Sequence, residues 1–241
     1  MRKIIIIILS LFLSIPLFVD ASAVDYKIKH YYINADIVES GNLEVTELIV
    51  LKGSFNGYIR DIVYQNKNLG STGFENNRIY NASGIEIIDI SAKKVNNVTF
   101  DTLNDADYTS LTKGKASNLG YLETAISDGK EYEMYFKSNK ETIAFKIKYI
   151  ITDAVVLHKD VAELYWTFIG SSYEDDIADL QIRVNLPKID QTDKFRVWAH
   201  GEMAGVIRPY ENRYLLATVE YLERNNPVDI RIAFDKTLVN Q

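Results

Sequence analysis

Apolar and polar residues alternate along most of this chain. Between Thr142 and Thr152, Ile143, Phe145, Ile147, Tyr149 and Ile151 fall on one face, with Lys146 and Lys148 on the other. Side chains of a strand point alternately to opposite sides, so this pattern predicts a half-buried strand. Asp179 to Leu186 repeats it, with Leu180, Ile182, Val184 and Leu186 inward, and so do Val228, Ile230, Ile232 and Phe234 near the end. Further strands are predicted at Tyr26–Ile37, Asn42–Leu51, Tyr58–Tyr64, Ile85–Ala92, Tyr121–Ser127, Glu131–Lys137, Glu163–Ile169, Phe195–His200 and Tyr214–Tyr221. Turn residues separate several of them: Ser40-Gly41-Asn42, Asn56-Gly57, Asp128-Gly129 and Asn225-Asn226-Pro227. One wet face per strand and scarcely any helical period predict an all-β fold, an antiparallel β-sandwich built as one large domain or two packed halves. Gln65 to Tyr80 and Asp101 to Asn118 are polar and rich in Asn, Gly and Ser; both are predicted to be exposed loops, the second a candidate internal break.

The first 23 residues break the alternation. Arg2 and Lys3 precede an apolar run from Ile4 to Leu13, and Ala21-Ser22-Ala23 supplies small residues for cleavage, the three parts of a secretory signal peptide. Ser10, Ser14, Pro16 and Asp20 interrupt a stretch shorter than the ~20 apolar residues of a membrane span. The domain is therefore assigned to residues 24–241, with cleavage at Ala23 and an extracytoplasmic destination, secreted or at the cell surface. A retained leader acting as an anchor is the alternative.

Charge and composition narrow the partners. The chain has 27 basic and 33 acidic residues; removing Arg2, Lys3 and Asp20 with the leader leaves 25 and 32, a net charge of −7. Such a surface repels nucleic acid and anionic lipid. The chain has no cysteine, which excludes disulfides, thiolate metal sites and lipid attachment at a cysteine after the leader. An exported chain without disulfides fits a bacterial envelope of the Gram-positive type better than eukaryotic secretion, so the sequons at Asn81 and Asn97 read as chance matches.

Catalytic chemistry finds little support. His30, His158 and His200 lie far apart in sequence, without the close spacing of common metal-ligand motifs. The acidic clusters at Asp101–Asp107 and Glu174–Asp179 lack the alternating ligands, central glycine and closing glutamate of a calcium loop. No serine sits on a Gly-x-Ser-x-Gly elbow. A carboxylate pair meeting across a cleft could hydrolyse a glycoside, but spacing cannot reveal it. No enzyme activity and no cofactor are expected.

Two segments stand out. Within Phe55 to Tyr64, a strand places Tyr58, Arg60, Ile62 and Tyr64 on one face and Ile59, Asp61 and Val63 on the other. Arg60 and Asp61 then cannot simply pair with each other, and each half-buried charge is expected to bond a neighbouring strand or loop, as a register-fixing network or as a ligand contact. Tyr165, Trp166, Phe168 and Tyr173 cluster around Gly170-Ser171-Ser172, either as core or as an aromatic platform. Trp166, Trp198 and Tyr173 exposed in a row would favour glycan binding, and all three buried would favour a scaffold.

Taken in order, these segments resemble the family catalogued as domain of unknown function 2207, the YciQ-like predicted bacterial membrane proteins. The resemblance runs through Gly41-Asn42-Leu43-Glu44-Val45-Thr46-Glu47, then Phe55 to Ile62 with Arg60-Asp61-Ile62. It continues through Phe145-Lys146-Ile147-Lys148-Tyr149 to Glu163-Leu164-Tyr165-Trp166 and Gly170, and closes at Ile177 to Pro187. It implies a signal peptide, an extracytoplasmic β-sandwich and following membrane helices, with no established activity. The chain departs at Val63, where proline is common, and at Tyr173, where tryptophan is common. It reaches Gln241 without a membrane helix, so a membrane-bound partner joins an envelope protein or glycan among the expected ligands.

Overall fold

Alternation becomes strand almost wherever it occurs. The computed structural model describes residues 25–65, 82–171, 173–187, 195–201, 205–210 and 213–240. Ala21, Ala23 and the rest of the leader lie outside the described residues, as does nearly all of the Gln65–Tyr80 stretch. The strands are β1 (Asp25–Ile37), β2 (Leu43–Val63), β3 (Gly84–Lys94), β4 (Thr109–Ser110), β5 (Thr112–Lys113), β6 (Gly120–Ile126) and β7 (Gly129–Thr152). They continue with β8 (Val155–Leu157), β9 (Ala162–Ile169), β10 (Leu180–Asn185), β11 (Arg196–Gly201), β12 (Val206–Tyr210), β13 (Tyr214–Val219) and β14 (Val228–Phe234).

They form two packed sheets. Among the described residues the larger has ten strands in the order β12-β13-β10-β1-β2-β7-β3-β4, with β6 paired to the first part of β7, Gly129 to Tyr135, and β5 to β6. The smaller runs β11-β14-β9-β8. Pairing is mostly antiparallel, but β1 and β10 are parallel, with Tyr31 opposite Leu180 and Asp36 opposite Asn185. The short β5 and β6 are also parallel; the rest is the antiparallel sandwich expected, and nothing local in β1 or β10 specifies the direction of its neighbour. The inward residues of both sheets make one core, in which Leu164, Trp166 and Phe168 of β9 and Ile230, Ile232 and Phe234 of β14 meet Tyr31, Ile33, Val45, Ile49, Phe145 and Ile147. Each fully buried aliphatic side chain contributes about 1.5–3 kcal/mol by leaving water.

Two predicted strand pairs are single long strands. Asn42–Leu51 and Tyr58–Tyr64 fuse into β2, and Glu131–Lys137 and Thr142–Thr152 into β7. Asn56-Gly57, read as a turn, is a bulge: the β2–β7 register shifts between Gly53 and Ser54 and again between Phe55 and Gly57. Gly53 sits at φ +152°, where a Cβ would lie 2.0 Å from the Asp25 carbonyl oxygen, and at Gly57 a Cβ would lie 2.1 Å from that of Met134. Bulges bend a strand and re-aim its side chains, so the second half of β2 leaves the main sheet direction carrying Tyr58, Arg60 and Ile62.

The segment after β3 is largely exposed, as its polarity suggests, but Thr102, Leu103 and Leu111 within it are buried. It carries a short 3-10 helix (Phe100–Asn104) and two short strands, and it folds over the outer face of the large sheet. Leu103 and Val95 bury Tyr32, Leu48, Val50 and Ala144 beneath it. Lys146, expected on a wet face, is 4% exposed, donates to the Asp105 carbonyl at 2.5 Å and lies 3.9 Å from the centre of the Tyr108 ring. Burial there pushes its ammonium below the usual lysine range.

Candidate functional site

The bend in β2 holds its inward face against the end of β9 and the loop that follows. Arg60, 7% exposed, and Glu47, 1% exposed, meet there as a forked ion pair, Arg60 Nε to Glu47 Oε2 and Nη2 to Oε1, both at 2.9 Å. Arg60 also donates to the Asp61 carbonyl at 2.6 Å and the Phe168 carbonyl at 3.2 Å. Glu47 accepts two more bonds, from the Tyr149 hydroxyl at 2.6 Å and from the Tyr31 hydroxyl. A carboxylate has about four acceptor positions, and four donors occupy them. Burial alone would raise the Glu47 carboxyl, but the Arg60 charge and the bonds from Arg60, Tyr149 and Tyr31 outweigh it and hold it below its ordinary 4.5. Burial likewise opposes the Arg60 charge, and Glu47 beside it raises the guanidinium well above its ordinary value. The pair is charged throughout the physiological range.

Above this floor opens a cleft of about 550 Å³, walled by Tyr26, Tyr58, Phe168, Tyr173 and Asp175. The Tyr58 and Tyr173 hydroxyls bond each other, and Tyr26 donates to Asp175 at 2.8 Å. Burial raises all three phenols, helped by Asp175 at Tyr26 and by Tyr173 at Tyr58, so they remain neutral. The arrangement can hold a ligand between aromatic and polar walls. Arg60 lines the cleft from below and is locked to Glu47, which is buried behind it and outside the lining, so that pair has no proton to exchange at neutral pH.

The residues singled out in the sequence are dispersed. Arg60 faces inward and finds both a carboxylate and carbonyls. Asp61 does not share in that: its side chain is exposed on the opposite face, across from Glu131, and only its backbone carbonyl serves Arg60. Burial, then the Asp61 charge, raises the Glu131 carboxyl. Trp166 is core, 2% exposed, and Tyr173 closes one wall of the cleft. Tyr165 points the other way, to the outer face of the small sheet, with its ring 6.4 Å from that of His200 and its hydroxyl 3.4 Å from Asp229. Trp198 is on that face too, 43% exposed, so Trp166, Trp198 and Tyr173 are neither a row nor all buried.

The acidic run after the cleft is divided among separate neighbours. Asp175 accepts from Tyr26, Asp176 from Tyr221 and the Arg224 amide, and Asp179 from Tyr32 at 2.6 Å, with His30 at 2.9 Å. Among the described residues no group of three or more His, Asp or Glu converges as a metal would require. Sequence reasoning missed Glu47, Tyr31, Tyr149 and Asp175. Glu47 was detectable: it occupies an inward place between Val45 and Ile49, where alternation demands an apolar residue.

Fold and site together define a β-sandwich domain with a saturated ion pair beneath an open cleft. The chain belongs to the family described as "Predicted membrane protein (DUF2207) N-terminal domain", whose pattern matches residues 27–234. Among the described residues no helix is long and apolar enough to cross a membrane. Comparison with curated proteins found no match. Among solved structures, native yeast LTA4 hydrolase superposes with a TM-score of 0.51 at 9% identity, over 87% of this chain and 29% of that one. A second structure, native leukotriene A4 hydrolase from Saccharomyces cerevisiae, gives 0.48 at 10%, over 87% and 29%. An M1 zinc metallopeptidase from Deinococcus radiodurans gives 0.42 at 7%, over 85% and 42%. The chain thus spans less than half of each, and the first of these likenesses speaks to the fold alone.

Proposed function

We propose that this chain is an exported, non-catalytic binding or scaffolding module of the bacterial cell envelope, taking an envelope protein or glycan as its partner. The observation that carries the reading is the saturated floor of the cleft. Arg60 and Tyr149 line that floor, and Glu47 behind them spends all its acceptor positions on Arg60, Tyr31 and Tyr149, so the charge pair is committed to structure and the same bonds hold the cleft rigid for recognition. Export rests on the leader, with its basic start, apolar run and Ala-x-Ala end. Family membership adds a setting at the membrane.

The test is sedimentation of the purified chain lacking residues 1–23 with isolated bacterial envelopes. Saturable co-sedimentation, with no soluble fragments released on prolonged incubation, is the expected result. Failure to sediment removes the binding role, and fragment release proportional to protein concentration and time makes the chain an enzyme.

A further inference from the structure

On the outer face of the small sheet, we infer a binding platform for a neutral oligosaccharide, with Trp198 as its principal stacking residue; this rests on the binding-module reading and gives it a surface and a ligand class. Strand register lays out the platform in rows. Trp198 of β11 stands opposite Arg231 of β14, which stands opposite Tyr165 of β9. The next row is His200, Asp229 and Thr167. Neighbouring strands lie about 4.8 Å apart, so the backbones carrying Trp198 and Tyr165 are roughly 10 Å apart across two strand spacings, with Arg231 between them.

The polar members are fixed in place. Glu163, 4% exposed, grips Arg231 through Oε1 at 2.5 Å and Oε2 at 3.2 Å, and the Arg231 guanidinium lies 5.3 Å from the centre of the Trp198 ring. Thr167 donates to Asp229 at 2.5 Å, and Tyr165 reaches the other oxygen of the same carboxylate. A buried carboxylate beneath the guanidinium and a partly bared indole beside it are rigid before any ligand arrives, so little is lost on ordering them.

The chemistry selects the occupant. Protein interfaces also concentrate Trp, Tyr and Arg, but in well-packed pockets with charge depleted at the core, whereas here the partly bared Trp198 ring stands beside the charged Arg231 and Asp229 rows. A sugar matches that pairing, with an apolar ring face edged by hydroxyls. Glu163 and Asp229 offset Arg231 on the face itself, and the chain as a whole has a formal net charge of −6, which disfavours a polyanionic glycan.

The experiment is affinity gel electrophoresis of the purified chain lacking residues 1–23, in gels containing soluble neutral β-glucan, mannan or xylan, together with envelope sedimentation. At least one glycan retards the parent protein, and Trp198→Ala weakens that retardation tenfold or more with an unchanged melting temperature, because the residue is on the surface. Trp198→Phe keeps part of it. Sugar addition alters indole fluorescence in the parent but not in Trp198→Ala, since the other tryptophan, Trp166, is buried. No retardation by any of the three glycans, or equal retardation of Trp198→Ala, overturns the platform. If Trp198→Ala still sediments with envelopes like the parent, or if protease treatment of the envelopes abolishes sedimentation, the platform fails while the binding-module reading stands. If the parent does not sediment at all, that reading fails instead.

Discussion

Removing the Arg60 guanidinium strands a carboxylate that has almost no access to water. In Arg60→Ala, Glu47 keeps the hydroxyls of Tyr31 and Tyr149 but loses its counter-charge, and the Phe168 carbonyl loses its donor. Breaking a buried pair by deleting one partner costs about 3–5 kcal/mol, mostly because the other charge is left uncompensated. For a domain of this size each kcal/mol moves the midpoint by about 2–4 °C, so the melting temperature should fall by roughly 6–20 °C. Arg60→Lys recovers only part, because an ammonium can reach one oxygen but cannot reproduce the fork and both carbonyl bonds. Arg60→Ala combined with Glu47→Ala should cost less than the sum of the two single losses, since the second deletion removes the group the first one stranded. Thermal melts of the chain lacking residues 1–23 decide it. If Arg60→Ala melts within about 2 °C of the parent yet loses envelope binding, Arg60 contacts ligand and the structural account of the pair is wrong.

Acid should reach the fold through Glu47. Its carboxyl titrates lower in the folded chain than its ordinary 4.5, so its stabilisation is complete above that value and is lost as pH falls through the folded one. Glu47→Gln should therefore be less stable at neutral pH and lose less on further acidification, seen as a shallower fall in urea midpoint below pH 4.5; parallel curves for variant and parent contradict this. Gly57→Ala should destabilise by about 1–3 kcal/mol, because the new methyl meets the Met134 carbonyl, and an unchanged urea midpoint would mean the strands separate freely there. Mass spectrometry of the secreted protein should find the chain starting after Ala23; a retained apolar run would mean an anchored protein. Circular dichroism of the processed chain should show β structure with little helix, and a helical content near the one-third average of globular proteins would contradict the fold.

Where burial follows alternation, the sequence was legible. The inward sets at Ile143–Ile151, Leu180–Leu186 and Val228–Phe234 are buried as read, because one-sided wetting leaves a strand only one favourable orientation. The shared face of Tyr58, Arg60 and Ile62 followed from the same rule. What failed depended on distant neighbours. Asn56-Gly57 has the chemistry of a hairpin turn, and only the close approach of β7 makes it a bulge. Lys146 looked wet because nothing near it in sequence says that residues 95–110 will cover it. Asp61 was expected to find a partner, yet its face is simply the outer one. Glu47 showed its anomaly in the alternation, but its partner, Arg60, stands 13 residues away in sequence and was itself placed only by the bulges. The cleft walls come from β1, β2, β9 and the loop after it, a meeting set by topology that no local pattern encodes.

The most direct test of the account is to incubate the chain lacking residues 1–23 with isolated envelopes while following bound protein and released soluble saccharide or peptide together. A module whose cleft floor is a saturated structural ion pair should bind to a plateau and release nothing, however long the incubation. Fragments that accumulate with time and in proportion to protein would show that a catalytic group works in the cleft or on the outer face, and the non-catalytic reading would be wrong.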